Sequence, residues 1–319
     1  MMRIDAHQHF WRYDPADYPW IGNGMDVLRR DWLPQDLRPL LDAHAIDACI
    51  AVQARADEVE TGFLLQLART HDWIAAVVGW VDLSAADVES RLARWREERR
   101  LAGFRHLLQD ETDVAATLSD PAFNRGVAAI QANAKVFEIL VRGARQLAAT
   151  PAFCARHDGH WLVLDHLGKP AIGGSDDDAW ETALRELAQL PHVVCKVSGL
   201  VTEVRTPGID AAVVHRYLDA ALEAFGPERL MFGSDWPVCL LRADYAEVAA
   251  LVRDWAARLS ADEQAQLWGG TGARCYGLRH ATDEIRTRSG GHPGATEPGI
   301  PDDGLHPGCM ETTEDRDGA

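Results

Sequence analysis

Short apolar runs and longer amphipathic stretches alternate along most of this chain. The runs are RIDAHQH (residues 3–9), DACIAVQA (47–54), IAAVVGWV (74–81), LAGFRHLL (101–108), AKVFEILV (134–141), HWLVLDH (160–166), HVVCKVSG (192–199) and RLMFGSD (229–235). Nearly unbroken in hydrophobicity and rich in Val, Ile and Leu, they read as strands buried on both faces. The stretches between them, such as DVESRLARWREERR, DAWETALRELAQL and DAAVVHRYLDAALEAFG, carry apolar residues at helical spacing. Eight strand–helix units in succession predict a (β/α)8 barrel over residues 1–278 as a single domain. A doubly wound open sheet is the alternative, and it loses ground because no glycine-rich phosphate turn follows the first strand.

Two segments break the repeat. Residues 10–33 form a long first loop bearing Trp11, Tyr13, Tyr18, Trp20 and Trp32, which suits a cover over the barrel mouth, with some aromatics serving only as anchors. Residues 279–319 lose apolar periodicity and hold four basic residues (Arg279, Arg286, Arg288, Arg316) against nine acidic ones, a composition that predicts a disordered tail.

Composition narrows the setting. The net charge of −17 in 319 residues argues against nucleic acid as a partner, because phosphates would be repelled. No apolar run approaches a membrane span, and no basic segment leads into an apolar stretch at the start, so neither a membrane nor a secretory signal is expected. The six cysteines (49, 154, 195, 239, 275 and 309) are scattered and form no Cys-x-x-Cys pair, which suits reduced thiols in a cytoplasm.

The chemistry begins at His7 and His9. Residues two apart on a strand share a face, so both imidazoles would point into the barrel near the strand's C-terminal end. Polar residues then recur at the ends of later strands: Gln53, Arg105, His106, Glu138, Asp165, His166, Lys196 and Asp235. Burial of such groups is costly unless they are paired or functional, so their repeated placement suggests one shared site. Adjacent residues point oppositely, so Arg105 and His106, or Asp165 and His166, cannot both face inward without a bend or bulge.

The segments DAHQHFW, GFRHLLQ, LDHLGKP, KVSGL and MFGSDWPV, taken together and in order, resemble the amidohydrolase superfamily. The likeness covers roughly residues 1–278 and is narrowest to the branch of sugar lactonases and pyrone dicarboxylate lactonases. Matched by position, it implies that His7, His9, His166 and Asp235 are the catalytic set. A binuclear centre with a carboxylated lysine on strand four is not expected, since that strand offers Arg105 and His106, and strand five offers Glu138. The four residues could hold one divalent metal such as zinc, but a lactone demands less Lewis-acid help than an amide, and a metal-independent reaction is the expectation. Positioned donors supply about 3–4 kcal/mol each toward an oxyanion. In this scheme Asp235 activates water, the histidines stabilise the oxyanion, and Gln53, Arg105, His106, Glu138, Arg142, Lys196 and Trp236 bind the substrate. The expected partner is a small sugar lactone of the L-fucono or L-rhamnono type. A dicarboxylate or pyrone lactone, a metal-dependent decarboxylation and an inactive binding barrel are the competing readings.

Overall fold

The computed structural model describes residues 1–278, so the tail predicted for 279–319 lies outside the described residues. Eight parallel strands follow one another in chain order: β1 (Ile4–Gln8), β2 (Ala48–Val52), β3 (Ile74–Gly79), β4 (Leu101–His106), β5 (Val136–Ile139), β6 (Leu162–Leu164), β7 (Val193–Val197) and β8 (Leu230–Phe232). Just past the ends of β8 and β1 the ring closes, where the Asp235 amide donates to His7 O (2.8 Å) and the His9 amide to Trp236 O (2.7 Å). The protein is therefore a (β/α)8 barrel, as the alternation predicts.

Alternation along each strand sorts side chains into two layers. Ile4, Ala6, Ile50, Val52, Val78, Val136, Val163, Val194 and Met231 pack together inside the barrel, joined by Cys275 and Tyr276 from the last helix (Thr271–Cys275) and its end. Their neighbours Cys49, Ala51, Val77, Phe104, Phe137, Leu164 and Cys195 face outward into a larger core shared with the helices. Each helix meets that layer with one apolar stripe. Asp177–Ala188, for example, buries Trp180, Ala183, Leu184, Leu187 and Ala188. Several helices begin on carboxylates that accept backbone amides, including Asp57, Asp113, Asp120, Asp210 and Asp244. A Leu→Ala change at Leu184 would cost about 2–5 kcal/mol, because the rigid surroundings leave a cavity.

β1 departs from strict alternation where it matters most. Its register against β2 shifts between Asp5 and Gln8. The shift lets Asp5 and Gln8 both reach outward, to Tyr245 Oη (3.1 Å) and Cys49 Sγ (3.1 Å). His7 and His9 are left facing the interior together. β6 and β8 are shorter than their apolar runs: after β6 the chain turns at Asp165, and after β8 it runs on to Asp235, whose φ is 59°.

Candidate functional site

At the C-terminal end of the strands a cavity of about 340 Å³ opens inside the ring, within the range of small-molecule sites. His9, Arg105, His166 and Asp235 line its depth, Lys169, Arg142, Gln109, Thr202 and Glu203 its walls, and Trp20 and Met25 of the first loop its rim. That loop is fastened from beneath. Trp11 Nε1 donates to Arg30 O (3.0 Å), and Tyr18 Oη donates to Glu60 Oε1 (3.0 Å). Glu60 also accepts the amides of Ala54 and Arg55 at 2.8 and 2.9 Å, so one carboxylate joins the loop, the end of β2 and the following helix.

The Asp235 carboxylate is the meeting point of the deep end. Its Oδ1 lies 3.3 Å from His9 Nε2, 3.8 Å from His7 Nε2 and 4.0 Å from His166 Nε2. The far nitrogen of each ring is held: His9 Nδ1 by Val52 O (2.8 Å), His166 Nδ1 by Ser198 Oγ (2.8 Å), and His7 Nδ1 by Asp165 Oδ1 (3.4 Å) and Lys196 Nζ (3.1 Å). Anchored this way, all three rings aim Nε2 at one point, an arrangement typical of metal-ligating histidines. Three imidazoles and a carboxylate are a donor set that suits a single zinc ion. His7 Nε2 also faces Arg105 Nη1 at 3.2 Å, so a cation there would share His7 with a guanidinium.

The backbone at the site is strained. His166 and Leu167 (both φ 54°), Gly168 (72°) and Lys169 (50°) form a left-handed turn, and Asp235 sits at φ 59°. Each non-glycine residue in that region costs of order 1 kcal/mol or more and persists only where the surroundings enforce it. Two glycines make the room. A Cβ on Gly199 would fall 2.5 Å from His166 Nδ1, and one on Gly233 would fall 2.6 Å from His7 Cβ.

Burial keeps the three histidines neutral by lowering their pKa values, those of His7 and His166 well below the ordinary imidazole range. Burial opposes ionisation of Asp235, but His166, His9 and Lys169 outweigh it and hold this carboxyl below the usual aspartate range. The result at neutral pH is an ionised carboxylate ringed by neutral imidazoles.

Beneath this cluster lies a layer of paired charges. Lys196 Nζ contacts Glu138 Oε1 (2.7 Å) and Asp165 Oδ1 (3.2 Å), and Arg105 Nη1 donates to Asp165 Oδ2 (3.1 Å). Tyr276 Oη donates to Glu138 from below, and Arg105 Nη2 donates to Gln53 O. Burial opposes ionisation of Asp165 too, yet Lys196, His7 and Arg105 hold its carboxyl well below normal, while burial and the Asp165 charge push Glu138 up to about 7.

The amidohydrolase family model matches residues 4–278. This chain belongs to that family. The amidohydrolase is 60% identical over 292 residues to L-fucono-1,5-lactonase of Burkholderia multivorans, covering 88% of this chain and 98% of the relative. It is 37% identical over 279 residues to L-fucono-1,5-lactonase of Burkholderia ambifaria, with 86% and 95% covered. An amidohydrolase from Burkholderia multivorans, solved once with bound HEPES and once with bound zinc, superposes with a TM-score of 0.84 at 60% identity. The match covers 88% of this chain and 100% of that one.

The structure brings His7, His9, His166 and Asp235 of this amidohydrolase together, as their strand positions predict. The residues expected to bind substrate divide. Arg105 and Arg142 line the cavity. Gln53 is fully buried and its Nε2 donates to Arg105 O (3.1 Å), so it braces the arginine and does not reach the cavity. His106 faces the helix layer, where Nε2 meets Glu111 Oε1 at 2.7 Å and the ring packs on Phe123, because Arg105 takes the inward position. Glu138 and Lys196 lie in the paired layer, away from the cavity wall. Trp236 is buried against Trp32 and Phe10 and carries no open ring face. The side chain of Asp235 caps no helix and faces the histidines.

Sequence reasoning passed over Lys169, Glu203, Gln109 and Thr202. All four lie beyond strand ends, where alternation carries no information about direction. Only Lys169 left a signal, three residues after His166 in LDHLGK, with a glycine between them. Asp165 and His166 both face inward, and the left-handed turn at His166 is what reconciles adjacent residues with one cavity.

Proposed function

We infer that this amidohydrolase opens a sugar lactone to its sugar acid, with L-fucono-1,5-lactone as the leading substrate. One observation carries the reading: a carboxylate in a ligand-sized cavity whose Oδ1 lies within 4.0 Å of the Nε2 atoms of three anchored imidazoles. The 60% identity to a named L-fucono-1,5-lactonase along nearly the full length of that relative supports the substrate. Asp235 accepts a proton from water as the oxygen attacks the lactone carbonyl. His9 and His166 position that water, and Arg105 supplies positive charge toward the developing oxyanion. The intermediate collapses with cleavage of the ring C–O bond, and the proton on Asp235 passes to the departing alkoxide.

A metal-free reaction is the expectation from sequence, and it lacks support. His7, His9 and Asp235 lie close enough together to hold one divalent ion, and His166 Nε2, 4.0 Å from the same carboxylate, stands beside them as a fourth donor. The zinc in the related Burkholderia multivorans structure supports the same site here. When bound, such an ion supplies Lewis acidity toward water and carbonyl oxygen. A dicarboxylate lactone fits less well, because the cavity lining holds two arginines, Arg105 and Arg142, and Arg105 already donates to Asp165. The five buried cysteines among the described residues are free, which agrees with a reducing cytoplasm. No helix among those residues is long and apolar enough to cross a membrane.

The test is acid release in a pH-indicator assay across aldonolactones, a dicarboxylate lactone and an unsubstituted lactone, with elemental analysis of the same sample. Turnover fastest on L-fucono-1,5-lactone, with about one zinc per chain that is lost in Asp235→Asn, is expected. Acid release from no aldonolactone would overturn the reading.

A further inference from the structure

Glu203 lines the same cavity as the His–Asp cluster, on the 3-10 turn Val201–Glu203 after β7. This carboxylate is 3% exposed, and its Oε2 is buried with no hydrogen-bond donor. The nearest cations, Arg205 at 3.7 Å and Arg142 at 3.8 Å, are half-exposed and out of hydrogen-bond range of that oxygen. A buried carboxylate oxygen without a donor is expensive, so a site that keeps one is built to receive donors from elsewhere.

Three more groups on the same walls are similarly uncommitted. The Lys169 side chain forms no ion pair or hydrogen bond among the described residues, although the left-handed turn holds it at the cavity. Burial lowers its pKa, and Asp235 and Glu203 are the anions that counter this. The Gln109 Oε1 and Trp20 Nε1 atoms are buried without partners on the same cavity surface. Two acceptors and two donors, spaced around a pocket and unused by the reaction, complement a ring that carries hydroxyls, since each hydroxyl both donates and accepts.

We propose that Glu203, with Lys169, Gln109 and Trp20, is the polyol-recognition wall of the site, and that Glu203 determines specificity by accepting hydrogen bonds from substrate hydroxyls. This rests on the lactonase reading and adds to it the group that separates a hydroxylated lactone from a bare one. A site built to bond a hydroxyl discriminates strongly against the analogue lacking it, because its own buried groups are then left unpaired.

The experiment compares wild type, Glu203→Gln and Glu203→Ala on L-fucono-1,5-lactone and on unsubstituted δ-valerolactone, with melts of all three proteins. Glu203→Gln is expected to lower kcat/KM on the sugar lactone about 10- to 100-fold, mostly through KM, and on valerolactone less than about threefold. Equal losses on both substrates, or none on either, would overturn the proposal while the wild-type activity leaves the lactonase reading standing. If wild type opens no lactone, binding of L-fuconate followed by titration calorimetry decides. Binding weakened in Glu203→Gln supports the wall, and undiminished binding or none sinks it. Should Glu203→Ala melt low, the isosteric Glu203→Gln protein decides the outcome by itself.

Discussion

Two storeys of the barrel interior hold charged residues, and they treat charge in opposite ways. In the lower one, every charge has an opposite within 3.2 Å: Glu138 with Lys196, Lys196 with Asp165, Asp165 with Arg105. In the upper one, Asp235 faces neutral imidazoles, Lys169 has no ion pair among the described residues, and Glu203 finds its nearest cation at 3.7 Å. The two storeys differ in how closely each charge is matched: protein partners sit at short range in the lower one and at longer range around Glu203 in the upper one.

The comparison breaks most sharply at Asp235. Asp235→Asn should lower kcat about 10²- to 10⁴-fold in the lactone assay, because the base is lost. Its melting temperature should hold, since asparagine tolerates the left-handed conformation at this position. A variant that keeps wild-type turnover would move the base elsewhere. In the lower storey the damage should fall on stability. Lys196→Met leaves Glu138 and Asp165 without their shared cation and should cost about 3–5 kcal/mol in urea unfolding, as breaking a buried pair does. A loss confined to kcat would show that Lys196 belongs to the reaction.

A smaller effect sharpens the boundary between storeys. Ser198→Ala removes the hydroxyl on His166 Nδ1 and should reduce kcat about tenfold with KM nearly unchanged, because the ring loses its aim. The smallest effect concerns pH. Burial pushes Glu60 up to about 7, above its ordinary 4.5, so the native state favours the protonated form of this group. Its contribution to stability is then full at low pH and is lost as pH rises through about 7. Melts at pH 5 and pH 8 should therefore show Glu60→Gln gaining on wild type at the higher pH, and a gap independent of pH would contradict the shifted Glu60.

Much of the end where His7, His9, His166 and Asp235 converge was legible in the sequence, and the wall bearing Glu203 and Gln109 was not. His7, His9, Arg105 and Asp235 stand at the ends of apolar runs, and that position along the chain places them near the mouth of the ring. Gln53, Glu138 and Lys196 also stand late in their runs and are buried at strand level. Periodicity gives the face of a strand but neither the height within the barrel nor the partner across it. His106 shows how firm the count is: next to an inward Arg105, it points out to Glu111. Glu203 and Gln109 lie in turns beyond the strands, where direction depends on contacts with distant segments and no local pattern encodes it.

Alternating hydrophobicity by itself determined the barrel, its strand order and the end where chemistry gathers, because burial on both faces of a parallel sheet admits few other arrangements for eight such units. Only the tertiary structure decided which buried charges cancel and which stay open, since that depends on distances between residues as far apart as His7 and Lys196. It alone set the left-handed turn that swings His166 inward and the register shift that turns the His7–His9 pair toward the interior. Both are local departures from regular geometry, sustained by packing from elements remote in the chain.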